Sequence, residues 1–311
     1  MSPSFAHLRR LTRALLAMVA LCAALPGSRI QTTRAASTVV QAVASTNVYG
    51  DVIKQIGGAH VAVFSILSNP NTDPHTYESN TTDAAAVARA TLVVQNGLGY
   101  DSFVVKLENA SPRSDRTVLD IGARLGYRTG DNPHIWYDPA TMPRVVALIA
   151  AELSRQDRTD AASFAANLRA FDTSLKPWID GIAAVRKQYA GTPVAITEPV
   201  FAYEALALGL KILTPNSFAL AIMEGNDPSP QDAQTETNLF TQNRVKVFFY
   251  NQQAVAPITV KLLGLARSHH IAVVGVYETK PLAMTYQQWM LAELQATRLA
   301  LSKGISTEHI Q

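Results

Sequence analysis

The residues VAVFSILSNPNTDPHTYE, numbers 61–78, join an apolar run to a polar turn that contains a histidine. The run from Val61 to Leu67 is apolar except at Ser65, which is typical of a buried strand. The asparagines and prolines that follow it favour a turn rather than a helix. His75 is therefore expected just beyond a strand, where open α/β sheets bind their ligands. A solvated loop residue is the alternative interpretation of this histidine.

Strand-like and helix-like segments alternate on both sides of this stretch. In the first half the predicted strands are residues 39–44, 61–67, 91–95 and 117–121. In the second half they are residues 193–197, 211–213, 245–250 and 271–277. Strands that are apolar on both faces and separated by helices are typical of a mostly parallel sheet. The sequence therefore predicts an α/β fold with one such sheet in each half.

The middle of the chain, residues 141–190, has the composition and periodicity of helices. A break is expected at residues 157–160. The piece after it, residues 161–189, would span ~40 Å as a helix. Pro177 predicts either a kink in this helix or an early turn of a new one. Such a helix between two alternating regions favours a rigid connector between two lobes, and a surface helix of one larger domain is the alternative.

The first 36 residues predict a signal peptide. Three arginines precede the short apolar run 14–25, which is too short to span a bilayer securely. Cleavage after Ala24 and cleavage after Ala35 both remain open, and an uncleaved anchor is the alternative. The predicted division is therefore a signal peptide at 1–36, an N-terminal α/β lobe at 37–158, a connector helix at 159–190 and a C-terminal α/β lobe at 191–311.

Cys22 is the only cysteine and lies inside this leader. It could belong to a lipobox, but Leu21 stands where lipoproteins carry a small residue, which disfavours lipidation. A mature chain without Cys22 has no disulfide to form in an oxidising compartment. The leader carries five arginines and no acid, so its removal changes the formal net charge from +3 to −2. The charge therefore gives no indication of nucleic-acid binding.

Four candidate metal ligands occupy equivalent positions in the predicted fold. Each lies just beyond an apolar strand or in a proline-stiffened loop, and each half supplies two: His75, His134, Glu198 and Glu278. Two imidazoles and two carboxylates suit a divalent transition metal. A glutamate at a strand end is also typical of a helix cap or a surface charge.

The loop around the second histidine reads DNPHIWYDP, residues 131–139, and two prolines stiffen it. Stiffness suits a ligand because less entropy is lost when metal binds. Trp136 and Tyr137 are expected to shield the site or to pack under it. A packed turn with a surface histidine is the alternative. Because His75 and His134 both lie in polar loops, their replacement is expected to leave no cavity in the core.

The chain resembles the metal-binding, solute-binding proteins of bacterial ABC importers, in the zinc and manganese cluster. The stretches that carry the resemblance follow the family's order across the mature chain: ASTNVYG (44–50), DPHTYE (73–78), NGLGYD (96–101), NPHIW (132–136), TEPVF (197–201) and YQQWM (286–290). The resemblance implies two α/β lobes joined by one long helix, with the metal in the cleft between them.

The resemblance also implies a function. The protein would capture one divalent metal ion, Mn²⁺ or Zn²⁺, as cargo and deliver it to an ABC permease driven by an ATPase. It would be a monomer, secreted across the inner membrane to the periplasm or cell surface, with a membrane anchor left open. The predicted carboxylates favour manganese and the imidazoles favour zinc, and we expect manganese because the site is rich in oxygen.

Several positions depart from the family's pattern. Asn132 stands where many relatives have aspartate, and Glu198 stands where zinc-importing relatives often have histidine. The fourth ligand is usually aspartate, and here the nearest acid is Glu278, with Thr279 as its rival in register. The zinc-chaperoning histidine-rich loop of some relatives is absent from the sequence.

Two other classes of function compete with metal capture. A secreted metallohydrolase needs an open coordination position and a nearby general base. The His-Glu-x-x-His helix of metalloproteases is absent, and four protein ligands would close the site to substrate. The sequence therefore predicts a protein that is not an enzyme. The third class is a surface adhesin of the same fold, which the residues neither support nor exclude.

Overall fold

The computed structural model describes residues 39–70, 72 and 74–310. The predicted signal peptide, residues 1–36, and Cys22 lie outside the described residues. Within them, eight strands form two four-stranded sheets in which every neighbouring pair is parallel. The predicted fold class, two α/β lobes joined by one long helix, is confirmed. None of the helices described has the length and apolar composition needed to cross a bilayer.

The first sheet, with its helices, forms the N-terminal lobe. Its strands run in the spatial order β2-β1-β3-β4. They are β1 (Val40–Thr46), β2 (Val61–Leu67), β3 (Leu92–Gln95) and β4 (Thr117–Asp120). The helices of this half are α1 (Asn47–Gly57), α2 (Thr81–Arg89), α3 (Ser102–Ala110), α4 (Ile121–Leu125) and α5 (Met142–Gln156).

Side-chain caps explain where two of these helices begin. Asn80 accepts from the backbone N–H groups of Thr82 and Asp83, and the Asp83 carboxylate bonds back to Asn80, so α2 starts with a capping box. Asp120 accepts from the backbone N–H of Ala123 at 2.9 Å. Because this cap starts α4 at Ile121, the predicted strand at 117–121 is one residue too long.

The second sheet, with its helices, forms the C-terminal lobe and repeats the topology of the first. Its spatial order is β6-β5-β7-β8. The strands are β5 (Pro193–Ile196), β6 (Lys211–Ile212), β7 (Val247–Asn251) and β8 (Ala272–Val276). Between the two halves runs α6 (Ala161–Tyr189), and the helices after it are α7 (Ala202–Ala207), α8 (Asn216–Met223), α9 (Pro230–Thr241), α10 (Pro257–Ser268) and α11 (Tyr286–Lys303). The sequence did not predict α4 or α8.

The long helix α6 packs against both lobes. It contacts α1 and α5 on one side and α11 on the other. Pro177 lies inside this helix, so its interpretation as the start of a new helix is wrong. Trp178 is buried against Tyr286 of α11, with ring centroids 6.0 Å apart. A Cβ atom at Gly181 would lie 2.6 Å from Leu294 of α11, so glycine at this position allows the two helices to approach closely.

One large apolar core joins the lobes around α6 and α11. It contains inward side chains of both sheets, including Val94 of β3 and Phe249 of β7, together with Trp178 and Trp289. Two smaller clusters cover the other face of each sheet. Because burial of apolar area drives packing, this shared core holds the carboxyl ends of the two sheets close to each other.

Two carboxyl groups are buried in the C-terminal lobe. Burial raises the pKa of Glu204 to about 8, against a smaller opposing effect of Trp178. Burial likewise raises the pKa of Glu236 to about 8, although its carboxylate accepts from the Thr214 hydroxyl at 3.0 Å. Removing a carboxylate from water disfavours its charged form, so both groups stay protonated near neutral pH.

We expect Glu204→Gln to reduce the loss of stability between about pH 5 and pH 8. The folded protein keeps the Glu204 proton to about pH 8, whereas an unfolded carboxyl releases it near the ordinary value of 4.5. The folded state therefore binds more protons in this window, and its stability falls as pH rises toward 8. The expected reduction is ~2–4 kcal/mol, because the folded state keeps the extra proton over about two to three pH units of this window and one unit corresponds to ~1.4 kcal/mol.

Denaturant unfolding at several pH values measures this difference. The exposed Glu78 provides the control, and Glu78→Gln should keep the pH dependence of the wild type. A pH dependence in Glu204→Gln equal to that of the wild type would contradict the assignment of a raised pKa to Glu204.

Candidate metal centre

Three of the four predicted ligands meet at one point between the lobes. Ligand atoms of His75, His134 and Glu278 all lie within 4.8 Å of one another. The Glu278 Oε2 atom lies 3.2 Å from His75 Nε2 and 3.3 Å from His134 Nε2. His134 and Glu278 are fully buried, whereas the His75 side chain is 19% exposed. The expectation that His134 could be replaced without leaving a core cavity is therefore wrong.

Each of these side chains follows a strand or occupies a short turn. His75 lies in the 3-10 turn Pro74–Thr76, after β2, and His134 directly precedes the 3-10 turn Ile135–Tyr137. Glu278 comes two residues after the end of β8. The carboxyl ends of parallel strands are the usual ligand-binding edge of such sheets, so the position agrees with the topology.

Aromatic rings enclose the buried histidine. The His134 ring contacts Trp136 and Tyr100 edge to face, with centroids 5.3 and 5.9 Å away. The Tyr100 hydroxyl donates to Glu278 Oε2 at 3.1 Å. Tyr137 packs beside Trp136, and its hydroxyl donates to the backbone carbonyl of Tyr277 at 2.8 Å. Trp136 therefore shields the imidazole, while Tyr137 supports the backbone just before Glu278.

The fourth predicted ligand, Glu198, is fully buried but lies outside the group of three. Its Oε1 atom accepts a short hydrogen bond from Asn251 Nδ2. The same amide nitrogen donates to Glu278 Oε1 at 2.8 Å. Asn251, the last residue of β7, thus bridges the two carboxylates.

Thr279, the alternative to Glu278 as the fourth predicted ligand, forms hydrogen bonds with Gln253 instead of facing the histidines. Its hydroxyl accepts from Gln253 Nε2 at 2.8 Å, and its backbone N–H donates to Gln253 Oε1 at 3.0 Å. The backbone N–H of Glu278 donates to the same Gln253 oxygen at 2.6 Å. The loop after β8 therefore directs the carboxylate, rather than the Thr279 hydroxyl, toward the two histidines.

The charges of this group favour a cation. Burial alone would raise the pKa of Glu278, but its hydrogen bonds to His134 and His75 outweigh burial and lower that pKa. Burial lowers the pKa of His134, and the neighbouring Glu278 only partly opposes this effect. The group therefore combines a carboxylate that ionises easily with an imidazole whose proton is easily displaced, and both properties favour metal binding.

A second group of potential ligands lies away from the cleft, where His60, Asp157 and Asp160 converge. His60 Nδ1 lies 2.9 Å from Asp160 Oδ2. The Asp157 carboxylate accepts from the backbone N–H of Thr159 at 3.1 Å in the turn before α6. This group joins the start of β2 to the start of α6.

A cavity of about 620 Å³ lies beside the group of three and is lined in part by His75. Its wall includes His75, Tyr100 and Asn132 of the N-terminal lobe and Pro199 and Leu220 of the C-terminal lobe. His134, Glu198 and Glu278 lie behind this wall.

Three residues of the site were not identified from the sequence. They are Tyr100, Asn251 and Gln253. Asn251 ends an apolar strand, and the strand-end argument that selected Glu198 and Glu278 applies to it equally. Tyr100 lies in the NGLGYD stretch that carried part of the resemblance, but nothing in that stretch predicts a role for its hydroxyl. Gln253 has no comparable signal, because its contacts depend on the fold of a loop.

The chain matches one protein family over most of its length. The family described as zinc-uptake complex component A, periplasmic (ZnuA), matches residues 42–299. The manganese-binding lipoprotein MntA of Halalkalibacterium halodurans is 28% identical over 202 residues, which are 62% of this chain and 65% of that protein. The chain therefore spans just under two thirds of that relative. MntA of Bacillus subtilis is 24% identical over 255 residues, covering 78% of this chain and 81% of that protein.

Solved structures share the fold. The laminin-binding protein Lmb of Streptococcus agalactiae, described as bifunctional with adhesin and metal-transporting activity, superposes with a TM-score of 0.71. The match covers 84% of this chain and 99% of that chain, at 22% sequence identity. At this identity the likeness establishes the architecture alone.

We expect one tight divalent metal site per chain, and we expect His75→Ala and His134→Ala each to weaken it by ~100-fold or more. Loss of a residue that only supports a ligand typically costs 10–100-fold, so loss of a ligand should cost at least as much. Calorimetric titration of chelator-stripped protein measures both the stoichiometry and the affinity. His60→Ala is the control and should leave this site unchanged.

The same titration compares Glu278→Ala with Thr279→Ala. The contacts above predict a large loss of affinity only for Glu278→Ala. Two equally tight sites in the wild type, or a larger loss in Thr279→Ala, would contradict the assignment of the ligands.

We expect metal affinity to be nearly constant above about pH 7 and to fall below the ordinary histidine pKa of about 6.5. Protons compete with metal for imidazole nitrogen, so binding weakens once the histidines protonate. Because burial lowers the pKa of His134, this histidine stays neutral to a lower pH than an exposed one. Titrations between about pH 5 and 7.5 measure the effect, and a constant affinity over that range would contradict this expectation.

Proposed function

Because the chain belongs to the ZnuA family of periplasmic zinc-uptake components, we propose that it captures a divalent transition metal ion and delivers it to an ABC importer. The ion is cargo, held in the cleft between the lobes and released to the membrane permease. The permease in turn is driven by an ATPase, and the binding protein acts as a monomer. Two relatives are named as manganese-binding lipoproteins, which supports a divalent transition metal as the cargo.

The observation that carries this proposal is the meeting of two imidazole nitrogens with one buried carboxylate oxygen. His75 Nε2 and His134 Nε2 lie 3.2 and 3.3 Å from Glu278 Oε2. Metal–nitrogen bonds of ~2.0–2.1 Å at tetrahedral angles separate ligand atoms by ~3.3–3.4 Å. These side chains thus already have the spacing of ligands that share one small cation.

Glu198 is proposed as the fourth ligand of the ion that the group of three binds. Asn251 donates to Glu198 and to Glu278, which holds two buried carboxylates near each other. Such a pair is costly without a cation, because like charges repel strongly away from water. A metal ion at the imidazoles would supply the positive charge.

Binding, rather than catalysis, suits this arrangement. A metallohydrolase keeps a coordination position open and places a general base beside it. The proposed site uses four protein ligands, one more than the three of a typical catalytic zinc site. The adhesin alternative draws only on the likeness to the Streptococcus agalactiae protein, and we do not propose it.

Manganese is the proposed cargo. Two glutamates give the site more oxygen than a three-histidine site has, and carboxylates suit manganese better than imidazoles do. Zinc can still bind more tightly in solution, because manganese has the lowest intrinsic affinity in the divalent series. Capture is proposed to take place outside the cytoplasm, in the periplasm or at the cell surface, and the predicted signal peptide supports this location.

Deletion of the gene should lower cellular manganese and slow growth under manganese limitation. Elemental analysis of cells and growth in depleted medium measure both effects. Complementation with the wild-type gene should restore them, and complementation with His134→Ala should not. A fall in zinc content, with growth restored by zinc alone, would contradict manganese as the cargo and support zinc in its place.

A further inference from the structure

We infer that Asn132 is a positioning residue that fixes the tautomer of His134, and that the C-terminal lobe fixes the orientation of Asn132. The inference rests on the proposed role of His134 as a metal ligand.

The carbonyl end of the Asn132 side chain faces the histidine. Its Oδ1 atom accepts from the backbone N–H of His134 at 3.1 Å. The same oxygen lies 2.7 Å from His134 Nδ1. An amide oxygen can only accept, so the hydrogen of this bond belongs to Nδ1.

The amide end of the side chain faces the other lobe. Asn132 Nδ2 donates to the backbone carbonyl of Pro199 at 2.8 Å. The assignment of oxygen and nitrogen in an asparagine depends on its neighbours. Here both neighbours are backbone groups of fixed character, since the N–H of His134 can only donate and the carbonyl of Pro199 can only accept. The orientation of the amide is therefore determined without reference to the imidazole.

This orientation prepares the imidazole for metal. With Nδ1 protonated, the lone pair of His134 Nε2 points toward Glu278 Oε2, 3.3 Å away. Two electron-rich atoms at this distance need a proton or a metal ion between them. Fixing the tautomer of a ligating histidine through its other nitrogen is a common way to strengthen a metal site.

The arrangement also links the lobes to the ligand. Pro199 directly follows Glu198 in the C-terminal lobe, and Tyr203 of α7 donates to the backbone carbonyl of Asn132 at 3.0 Å. The carbonyl that orients the amide is thus available only when the lobes are held together. A carboxylate at position 132 could accept from His134 but would face the Pro199 carbonyl with an oxygen. Asparagine therefore adds a contact between the lobes that aspartate cannot make.

Nitrogen NMR of ¹⁵N-histidine-labelled protein tests the tautomer directly. Zinc serves as the probe because it is diamagnetic, and the spectrum of His134→Ala identifies the signals of His134. We expect Nδ1 of His134 to be protonated in the metal-free protein, and we expect the zinc-loaded protein to show Nδ1 protonated with Nε2 bound to metal. A wild-type His134 with Nδ1 unprotonated would overturn the inference.

Variants separate positioning from packing. Asn132→Ala should lose the Nδ1 preference and bind zinc ~10–100-fold more weakly, the usual cost of losing such a partner. Asn132→Asp presents an oxygen to His134 whichever way it turns, so it should retain protonated Nδ1 and recover most of the affinity. The exposed Asp131 gives a matched control, because its carboxylate accepts from the backbone N–H of Arg128. Asp131→Asn should resemble the wild type.

Zinc affinity in Asn132→Ala equal to that of the wild type, or in Asn132→Asp as weak as in Asn132→Ala, would overturn the inference. If Asn132→Ala does not fold, the wild-type spectrum and Asn132→Asp still decide. Failure of the proposed function has a different signature, since the wild type would then bind no zinc while its metal-free spectrum still reports the tautomer of His134.

Discussion

The buried carboxylate of Glu278 is the constraint on which the cleft depends. Full burial of an anion is costly unless donors surround it. Its oxygens receive hydrogen bonds from Tyr100 and Asn251 and lie within 3.3 Å of the two histidines. Tyr100 and the histidines belong to the N-terminal lobe, and Asn251 belongs to the C-terminal lobe. The carboxylate is therefore stabilised only where the two sheets meet.

Neutral amide side chains hold the lobes in that position. The two ends of the Asn47 side chain bond to the backbone carbonyl and N–H of Lys280, at 2.7 and 2.8 Å. Gln253 joins the loop of Glu278 to the carbonyl of Thr72, near His75. Amides suit this role because each offers a donor and an acceptor and adds no charge to a site that must attract a cation. Closing the cleft and arranging the ligands are consequently parts of one hydrogen-bond network.

Local patterns in the sequence were sufficient for the architecture. Apolar runs gave the strands to within a few residues, because strands buried on both faces need apolar side chains throughout. The connector was visible as a long helical period, although Pro177 also suggested the start of a new helix. That suggestion failed because side chains such as Trp178 pack on α11 and hold the helix together around the proline. The short helices α4 and α8 were missed, since segments of five and eight residues carry little periodicity.

By itself the sequence determined the α/β class, the long connecting helix and the four candidate ligands, because strand ends and stiff loops are local features. Tertiary structure alone decided which candidates meet. It brought Glu278 rather than Thr279 to the histidines, joined Glu198 to Asn251 by a hydrogen bond, and turned the Asn132 amide toward Pro199. The physical reason is separation along the chain: His134 and Glu278 stand 144 positions apart, so their distance depends on the packing of two sheets around a shared core.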